Sequence, residues 1–557
     1  MMVRRLSEVE GSSCPLCGRP WAVQVRELKA AIAAPAVHRL EQDHPGWQAA
    51  DGACPSCVHA AAQAVCAGRS AESIQNELLL PYPVYSAEET RLIPARELVN
   101  AIPGYSGAGV VMAFLDSGFY PHPDLMQPAN RIVAMVDATS AQPQEEARFT
   151  RPQVSSWHGL MTACVGAGNG RLSDGVFCGI APEARVALVK TGNPEARGIR
   201  EADIQRALTW VLANQQRFNI RIVNISLGGD FPTHGKLNEL ELLVEEAVRC
   251  NIIVVAAAGN EGAERLLPPA SAPSAITVGG LDLRNSFEQR RWQLYPSNYG
   301  KVPGVRPKPE LVAPARWLAA PMLPNTRQHT ESQFLWQVEK SAGAPAPERN
   351  GKTPSREAER KRHFESVRRT VRSRMIAQKY IHPHYQHVDG TSMAAPVVSG
   401  VAAQMLEANP GLSAGMVREI LIATATPLET FPAEKRGAGL VNAGRAVAAA
   451  RRAGRGVLTS LPLSPYIHEG RVHFYYFDPL NRAECVALVS SLNGWNPQGQ
   501  ALETHSPGLW QLSIPVPPPG IYVYKFLVDD RWVHDPENVV WVEDGYGGFS
   551  SILEVRR

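Results

Sequence analysis

The stretch VDGTSMAAP, residues 388–396, decides how the rest of the chain is interpreted. It predicts a tight turn that delivers Ser392 to the first turn of a buried helix, because Val398, Val401 and Met405 continue at helical spacing. A serine at a helix N-terminus lies beside unpaired backbone N–H groups and the positive end of the helix dipole, which together stabilise developing negative charge. Taken alone, Ser392 is better explained as a helix N-cap. Its role therefore depends on the rest of the chain.

Length and composition limit the class of protein. The chain of 557 residues predicts about two to four domains, since a single core does not grow to this size. Hydrophobic residues make up 44% and charged residues 20%, as in ordinary soluble globular proteins. A formal net charge of +3 argues against nucleic acid or a membrane surface as a partner. No apolar run approaches the roughly 18 residues that a membrane span needs.

The amino terminus and the cysteines bear on the location of the protein. Arg4 and Arg5 are followed by no hydrophobic segment, so the sequence predicts no secretory signal. Nine cysteines in a chain of this length do not make a disulfide scaffold. Their odd number, with four of them in two CxxC pairs, fits a reducing compartment. The expected location is cytoplasmic.

Two CxxC pairs lie near the amino terminus: Cys14 with Cys17, and Cys54 with Cys57. Four thiolates can surround one zinc ion in a closed tetrahedral site, so we expect a zinc-ribbon-like domain over residues 1–75 with structural zinc as its cofactor. The long spacing between the pairs indicates an inserted helix. A closed site leaves no open position for catalysis. The alternatives are a redox-active CxxC pair and unrelated thiols.

Residues 76–105 are predicted to connect this domain to the next one. Pro81, Pro83 and Pro94 favour extended backbone in this segment. We interpret the segment as a linker. An inhibitory segment that lies in the substrate cleft is the alternative if a protease domain follows.

Apolar runs alternate with amphipathic helices from Gly107 onward. The run from Val110 to Leu115 is continuously apolar, as in a strand that is buried on both faces of a parallel sheet. This alternation predicts a doubly wound α/β fold with right-handed crossovers. Active groups in such folds collect at the carboxyl ends of strands, and Asp116 and Asn260 each follow a predicted strand.

Candidates exist for every role that a serine nucleophile requires. The nucleophile needs an imidazole that takes its proton, a buried carboxylate that orients the imidazole, and donors for the oxyanion. His158 lies at the start of a helix of small residues, which completes the order Asp116, His158, Asn260, Ser392. Each residue alone also has a structural explanation, such as helix start or turn. Four roles filled in one order favour catalysis.

Short motifs follow one another in a fixed order along this part of the chain. They are DSG at 116–118, HPDL at 122–125, HG at 158–159, GIAPEA at 179–184, NISLG at 224–228, AAGN at 257–260, KPELVAP at 308–314 and GTSMAAP at 390–396. In this order they resemble the motifs of the subtilisin-like serine proteases, the subtilase family, over about residues 101–455. The resemblance implies a subtilisin-like peptidase domain, predicted over residues 106–455, with its triad in the chain order Asp, His, Ser.

The resemblance implies a role for each matching residue. Ser392 is expected to be the nucleophile, His158 the general acid/base, and Asp116 the residue that orients the imidazole. Asn260 is expected to donate its side-chain amide to the oxyanion, together with the backbone N–H of Ser392. Three residues are expected to pair with extended substrate backbone: Ser226, Leu227 and Gly228.

A long insertion, about residues 316–386, precedes the nucleophile turn. Its middle is rich in Pro, Arg, Lys and Glu and poor in apolar residues. We interpret it as a solvated surface insertion. An interaction arm that covers or gates the active site is the alternative.

The chain changes character after about residue 455. Short alternating segments between Pro, Gly and Asn turns predict an immunoglobulin-like β-sandwich over residues 456–557. The pieces SLNGWNP at 491–497, YKF at 524–526 and DRWVHDP at 530–536 resemble the glycogen-binding modules of AMP-activated kinase beta subunits and of branching enzymes.

This second resemblance implies a sugar site. Trp495 and Trp532 are expected to stack on glucose rings, and Lys525 to hydrogen-bond the sugar. An asparagine often found near the last strand of that family is replaced here by Ser550 or Ser551. The alternative is that the tryptophans serve packing only.

The leading hypothesis is a serine endopeptidase that hydrolyses protein or peptide substrates through an acyl-enzyme. It would carry a structural zinc module and a domain for α-glucan, with no nucleic acid or membrane partner. The alternative is a carbohydrate- or protein-binding scaffold whose protease core is latent or inactive.

Overall fold

The computed structural model describes most of the chain between residue 92 and the carboxyl end. The described residues are 41–47, 92–145, 149, 152–153, 155–193, 198–232, 236–302, 306–343, 368–453, 464–479, 481–496, 498–506, 508–535, 537–538, 540–544 and 549–556. The expected zinc ligands Cys14, Cys17, Cys54 and Cys57 lie outside these ranges, so the zinc-ribbon-like domain stays a prediction. No helix within the ranges is long and apolar enough to cross a membrane.

The chain divides into two compact units, one of residues 1–92 with 338–380 and one of residues 93–337 with 381–557. In the described part of the first unit, Arg368 and Arg372 both pair with Glu339, at 3.0 and 2.8 Å. The second unit contains all the residues of the candidate active site.

A mostly parallel sheet forms the centre of the second unit. The strands before the carboxyl-terminal region are β1 Val111–Asp116, β2 Ile132–Asp137, β3 Gln144–Glu145, β4 Arg185–Lys190, β5 Gly192–Asn193, β6 Gly198–Ile199, β7 Ile220–Ile225, β8 Ile253–Ala257, β9 Ile276–Asp282, β10 Gln293–Leu294, β11 Leu311–Pro314, β12 Leu318–Pro321, β13 Tyr380–His382 and β14 Tyr385–Val388. The nine-stranded sheet has the order β10-β9-β8-β7-β1-β4-β2-β3, with β11 paired to β9. Antiparallel pairs occur only at β10 and β3, which confirms the predicted α/β fold with a parallel sheet.

Strand β1 shows why the sequence forms this sheet. All six of its residues are buried, as the continuous apolar run predicts for a strand covered on both faces. It pairs in parallel with β4 on one side and with β7 on the other. Asp116 ends the strand as its one charged residue, so the fold brings a carboxylate to the carboxyl edge of the sheet.

Ten helices have defined bounds within the described residues. They are α1 Ala95–Leu98, α2 Pro123–Met126, α3 Ser156–Ala167, α4 Glu201–Phe218, α5 Glu239–Arg249, α6 Arg327–Gly343, α7 Thr391–Ala408, α8 Ala414–Thr424, α9 Ala433–Arg436 and α10 Ala443–Arg452. Residues 368–377 are also helical.

Helix α7 is almost entirely buried. Of its 18 residues 15 are buried, so it is apolar or small on nearly every side. Gly400 is required for close packing, because a Cβ there would lie 2.5 Å from the Cβ of Ile180. The buried NH₂ group of Gln404 donates to the carbonyls of Tyr105 and Ile180 at 2.9 and 2.8 Å, which ties the helix to two other segments. The helix therefore gives Ser392 a rigid base.

The two ends of the predicted insertion are ordered. Strands β12, β14 and β13 form a three-stranded sheet in that order, with β12 antiparallel to β14. All four residues of β14, Tyr385–Val388, are buried. For these ends the prediction of a solvated insertion over 316–386 is wrong, because their apolar and aromatic residues pack into the fold. Residues 344–367 lie outside the described part.

A buried ion network joins the motif KPELVAP to helix α8. The Oε1 atom of Glu310 accepts from Lys308 Nζ at 2.8 Å and from Arg418 at 2.7 Å. Its Oε2 atom accepts from the backbone N–H of Thr277 at 2.8 Å. The side chains of Lys308 and Glu310 are both 0% exposed. Burial is tolerated here because each charge has a partner of opposite sign or a hydrogen bond.

Antiparallel strands make up the carboxyl-terminal region. They are β15 Tyr466–His468, β16 Arg471–Phe477, β17 Val486–Ser490, β18 Gln500–Ala501, β19 Glu503–Ser506, β20 Leu509–Pro515, β21 Gly520–Val528, β22 Arg531–Val533, β23 Trp541–Glu543 and β24 Phe549–Val555. They form a four-stranded sheet, β15-β16-β20-β19, and a six-stranded sheet, β18-β17-β21-β24-β23 with β22 paired to β21. Phe474 of one sheet meets Tyr524 of the other at 5.0 Å between ring centroids, within one hydrophobic cluster. The immunoglobulin-like classification stays a prediction.

The carboxyl-terminal region packs against the central α/β part of the same unit. Tyr475, Phe477 and Leu509 belong to the hydrophobic cluster of that part. Ser413, the N-cap of α8, donates to Glu537 Oε1 at 2.5 Å. The two parts therefore share apolar and polar contacts.

Asp535 lies at the centre of a buried polar cluster in this region. Its Oδ2 atom accepts from Ser464 Oγ and from Tyr524 OH, both at 2.7 Å, and its Oδ1 atom from the backbone N–H of Glu537 at 3.0 Å. Burial raises the pKa of Asp535 to about 7, despite these hydrogen bonds.

Stability is expected to fall with rising pH because of Asp535. The folded chain binds the Asp535 proton more tightly than the unfolded chain, in which a carboxyl titrates near 4. The stabilisation is complete below about pH 4 and is lost as the pH rises to about 7. Between about pH 4 and pH 7, the free energy of unfolding of the wild type should fall by up to about 4 kcal/mol relative to that of Asp535→Asn, as measured by denaturant unfolding. Glu503→Gln, exposed on the same region, should follow the wild type. Parallel curves for wild type and Asp535→Asn would contradict this assignment.

Candidate active site

Four of the predicted residues stand where strands end or helices begin. Asp116 is the last residue of β1, and Asn260 follows β8 by three positions. His158 is in the first turn of α3, and Ser392 is in the first turn of α7. The carboxyl ends of parallel strands share one edge of the sheet, so these turns meet there.

Asp116 and His158 form a hydrogen-bonded pair. His158 Nδ1 lies 2.7 Å from Asp116 Oδ1, which also accepts from the backbone N–H of Ser117 at 2.7 Å. The Asp116 side chain is 0% exposed, whereas that of His158 is 28% exposed. Burial lowers the pKa of His158, but the charge and hydrogen bond of Asp116 raise it more, so this pKa lies above its ordinary value. Asp116 therefore holds one ring nitrogen and leaves the other for chemistry.

Gly159 allows this close approach of α3 to the end of β1. A Cβ at position 159 would lie 2.1 Å from the carbonyl oxygen of Gly118 and 3.0 Å from the Cβ of Asp116. Any larger residue would push His158 away from its carboxylate. The HG motif thus requires glycine at position 159 for steric reasons.

Thr162 is a functional contact that the sequence reasoning missed. Its Oγ1 lies 3.0 Å from Asp116 Oδ2 and 3.0 Å from the carbonyl oxygen of Gly159, so the two oxygens share its single proton. The side chain is fully buried. The signal was available, because Thr162 follows His158 by four positions and so lies on the same face of a helix.

Replacing Thr162 by valine is expected to lower kcat about 3- to 10-fold, since one hydrogen bond to a carboxylate is lost. The Asp116 charge would then act more strongly on His158, so the acid limb of the kcat/KM profile should move to higher pH. Thr162→Ser should restore both kcat and the limb. Equal losses in Thr162→Ser and Thr162→Val, with no shift of the limb, would reduce Thr162 to a packing residue.

Asn260 is fixed against the nucleophile turn. Its Oδ1 atom accepts from the backbone N–H of Thr391 at 2.8 Å and from Thr391 Oγ1 at 2.9 Å. Thr391 Oγ1 in turn accepts from the backbone N–H of Gly259 at 3.1 Å. Because the amide oxygen is occupied, the amide NH₂ is the group left to donate. Thr391 is a second contact that the sequence reasoning missed.

The turn before Ser392 is held by main-chain contacts. Gly390 has a φ of 128°, a conformation that side chains rarely adopt, and this produces the abrupt entry into α7. Its N–H donates to the carbonyl of Ala315 at 2.8 Å. Trp317 N donates to Asp389 Oδ1 at 2.9 Å beside it.

Ser392 contacts the segment expected to bind substrate. Ser226 Oγ donates to the carbonyl of Ser392 at 2.8 Å, and Ser392 Oγ donates to the carbonyl of Ser226 at 3.4 Å. The carbonyl of Ser392 is free to accept this bond because Pro396, four positions later in the helix, has no N–H. Leu227 is half-buried and Gly228 exposed, and both lie beyond the end of β7.

The structure therefore brings the predicted residues together in two groups: Asp116 with His158, and Ser392 with Ser226. Asn260 joins the second group through Thr391, the neighbour of Ser392. Within the described residues, Ser392 Oγ makes no hydrogen bond to His158. Contacts of this kind are often long before substrate binds.

The sequence profile of the Subtilase family matches residues 107–443, more than half of the chain. The chain belongs to the subtilase family. A second profile, the glycogen recognition site of AMP-activated protein kinase, matches residues 479–557. This subtilase thus has a carbohydrate-binding type of domain at its carboxyl side, as the motifs indicated.

Similar proteins are serine proteases. Serine protease AprX of Bacillus subtilis (strain 168) is 30% identical over 372 residues, which cover 63% of this chain and 69% of that protein. Subtilisin BL of Lederbergia lenta is 28% identical over 344 residues, 61% of this chain and 91% of that protein. Fervidolysin from Fervidobacterium pennivorans, a keratinolytic enzyme related to subtilisin, aligns at a TM-score of 0.45 and 18% identity over 80% of this chain and 56% of that one. The family and its sequence relatives make this protein a subtilisin-like serine endopeptidase.

The three residues expected to bind sugar differ in accessibility. Trp495 and Trp532 are 38% and 48% exposed, so both rings are accessible. Lys525 Nζ, however, pairs with Asp544 Oδ2 at 2.5 Å. Ser550 and Ser551, the two candidates for the position of the usual asparagine, are both buried, and Ser551 Oγ accepts from the backbone N–H of Asp535 at 2.8 Å. The tryptophans are open to a ligand, whereas the lysine already has a partner.

Proposed function

We propose that this subtilase hydrolyses peptide bonds through an acyl-enzyme formed on Ser392. The observation that carries the proposal is the 2.7 Å contact between Asp116 Oδ1 and His158 Nδ1, at the sheet edge where Ser392 and Asn260 also lie. A buried carboxylate that holds one imidazole nitrogen leaves the other as the base for a serine hydroxyl.

The proposed reaction proceeds in two halves. Ser392 Oγ turns from the carbonyl of Ser226, gives its proton to His158 Nε2 and attacks the substrate carbonyl carbon. The oxyanion is met by the Asn260 amide and by the Ser392 N–H. His158 then protonates the leaving amine, and the acyl-enzyme forms. Water repeats the attack with His158 as base and releases the acid.

Protein or peptide substrate is proposed to bind as an added strand. Residues 226–228 continue β7 without a regular partner strand in the described chain, and Ser226 contacts the nucleophile directly. An extended peptide can therefore pair with Ser226, Leu227 and Gly228 while its carbonyl lies at Ser392.

The test is covalent labelling of the full chain with a fluorophosphonate probe. The wild type and the control Ser140→Ala should be labelled once, and Ser392→Ala should not be labelled. Labelling that persists in Ser392→Ala would refute the assignment of the nucleophile. A wild type that resists labelling and cleaves no protein substrate would favour the alternative of a scaffold with an inactive core.

Binding of α-glucan by the carboxyl-terminal domain is a second proposed function. The exposed rings of Trp495 and Trp532 support it, since amphipathic aromatic surfaces suit stacking against sugar. Lys525 would join only after leaving Asp544, so we propose binding that depends mainly on the tryptophans.

Sedimentation with glycogen separates binding from packing. Trp532→Ala should weaken retention about tenfold, as expected for the loss of one stacked ring, and Trp495→Ala should act similarly. Ile521→Ala, an exposed apolar control on β21, should behave as the wild type. Retention that is equal in all four proteins, or absent from all of them, would reject a sugar site at these rings.

A further inference from the structure

Three side chains that could ligate a metal meet in the interior, outside the residues proposed for hydrolysis. They are His122, the N-cap of α2, Asp124 within α2, and Cys164 on α3. One ligand atom of each lies within 4.8 Å of the other two. The residues are 0%, 0% and 3% exposed. Imidazole, carboxylate and thiol thus converge where water is excluded.

The imidazole of this cluster has an unsatisfied atom. His122 Nδ1 accepts from the backbone N–H of Asp124 at 3.1 Å. His122 Nε2 is buried and has no hydrogen-bond partner among the described residues. A buried polar atom without a partner costs about 1–3 kcal/mol, and native proteins seldom keep one without a ligand, ion or water.

Among the described residues, the Asp124 carboxylate makes no ion pair with a lysine or arginine, and Arg131 acts on it only through its charge at longer range. Both oxygens of Asp124 accept from Tyr385 OH, at 3.0 and 2.9 Å. The guanidinium of Arg131 donates instead to the backbone carbonyls of Ala184 and Asp124. A hydroxyl partner leaves a fully buried negative charge only partly compensated. In the described residues, the carboxylate therefore has a hydroxyl partner but no direct ion pair with a lysine or arginine.

We propose that His122, Asp124 and Cys164 form a site for a divalent metal of the zinc type. One nitrogen, one carboxylate oxygen and one thiolate sulfur are ligands that zinc accepts in tetrahedral sites with three protein ligands. Calcium and magnesium take oxygen ligands, so a site with imidazole and sulfur excludes them as the preferred ions. Two anionic ligands balance the +2 charge.

The protons of the cluster balance on binding. The thiol of Cys164 releases its proton to solvent as the thiolate ligates the metal. Ligation through His122 Nε2 moves the ring proton to Nδ1, so Nδ1 gives up its hydrogen bond from the Asp124 N–H and donates instead toward Asp124 Oδ1, which lies 3.5 Å away. An imidazole that ligates a metal and donates its other N–H to a carboxylate is a recurrent arrangement.

The metal would connect the two sides of the active site. Cys164 belongs to α3, the helix whose first turn carries His158. Asp124 is tied by Tyr385 to β14, the strand that leads into the nucleophile turn. Loss of the metal should therefore lower both thermal stability and hydrolysis.

Metal content of the full chain tests the proposal. Cys164→Ser is compared with Cys250→Ser, which removes an exposed free thiol. Zinc bound at the predicted amino-terminal cysteines is common to both variants and cancels in the difference. Cys164→Ser should hold one zinc ion per chain fewer than Cys250→Ser and the wild type, and His122→Gln should match Cys164→Ser. Equal zinc content in all four proteins would overturn the site.

A second measurement avoids a variant that alters the core. The four amino-terminal cysteines, Cys14, Cys17, Cys54 and Cys57, are replaced by serine, which leaves the proposed site intact. This protein, stripped of metal and titrated with Co²⁺, should show a thiolate-to-cobalt charge-transfer band that saturates at one equivalent. Zn²⁺ should raise its melting temperature. Absence of both the band and the thermal shift would overturn the proposal. Fluorophosphonate labelling of the same protein is measured in parallel. It tests the proposed nucleophile independently of the metal site.

Discussion

Replacing Asp116 by asparagine is expected to lower kcat about 10⁴-fold with little change in KM. The substitution keeps the shape of the side chain but removes the negative charge 2.7 Å from His158 Nδ1. An asparagine amide directed at Nδ1 would place the ring proton on Nε2, where the serine hydroxyl needs an acceptor. The imidazolium that forms during attack would also lose its counter-charge.

Steady-state kinetics on a chromogenic peptide, with circular dichroism as a check of folding, measures this effect. Asp174→Asn changes an exposed aspartate that lies outside the site and should keep wild-type kcat. A fall of less than about tenfold in Asp116→Asn would mean that His158 is oriented by something other than Asp116.

The second large effect is on stability. Glu310→Gln is expected to lower the free energy of unfolding by about 3–5 kcal/mol, because Lys308 and Arg418 lose the charge that both contact. Lys308→Met should lower it less, since Glu310 would still pair with Arg418 at 2.7 Å. The loss of unfolding free energy in the double variant should be smaller than the sum of the losses in the two single variants, as is typical of residues in contact.

The pH dependence of this loss has a definite sign. Burial raises the pKa of Glu310, but Lys308 and Arg418 lower it more, so the pKa lies below its ordinary value in the folded chain. A depressed carboxyl pKa stabilises the folded state above the unfolded pKa, and the gain is lost as the pH falls through the folded value. The difference between wild type and Glu310→Gln should therefore be full at neutral pH and shrink below about pH 4.

Denaturant unfolding at several pH values measures the stability loss of Glu310→Gln and its change with pH. Glu434→Gln, which changes an exposed glutamate, is the matched control. A Glu310→Gln protein as stable as the control at neutral pH would contradict the assignment. So would a difference that grows as the pH falls.

Much of the candidate site could be predicted because it follows from local rules. A charged residue that ends an apolar strand must lie at a sheet edge, which placed Asp116. A histidine and a serine that open helices of small residues must lie on rigid, buried supports, which placed His158 and Ser392. The order of these residues along the chain then identified the family.

Other features depend on contacts between distant parts of the chain, which a pattern of neighbours does not encode. Tyr385 OH meets the Asp124 carboxylate across 261 positions, and Lys525 meets Asp544 across 19. The composition of the middle of the insertion suggested a solvated segment throughout. The ordering of β12 and β14 at its ends arises from pairing between residues about 70 positions apart, as in Leu318 opposite Val388.

The contact between Gly390 N–H and the carbonyl of Ala315 has a consequence for how this protein can change. Together with the bond from Trp317 N to Asp389, it clamps the two ends of the inserted segment to each other. Strands β12 and β14, which follow and precede these contacts, then hold the position of the nucleophile turn. Each doubling of a flexible loop adds only about 0.6 kcal/mol to its closure. Sequence can therefore be gained, lost or exchanged at this point while the geometry at Ser392 is preserved, which makes it a natural place to graft a new recognition element onto the protease.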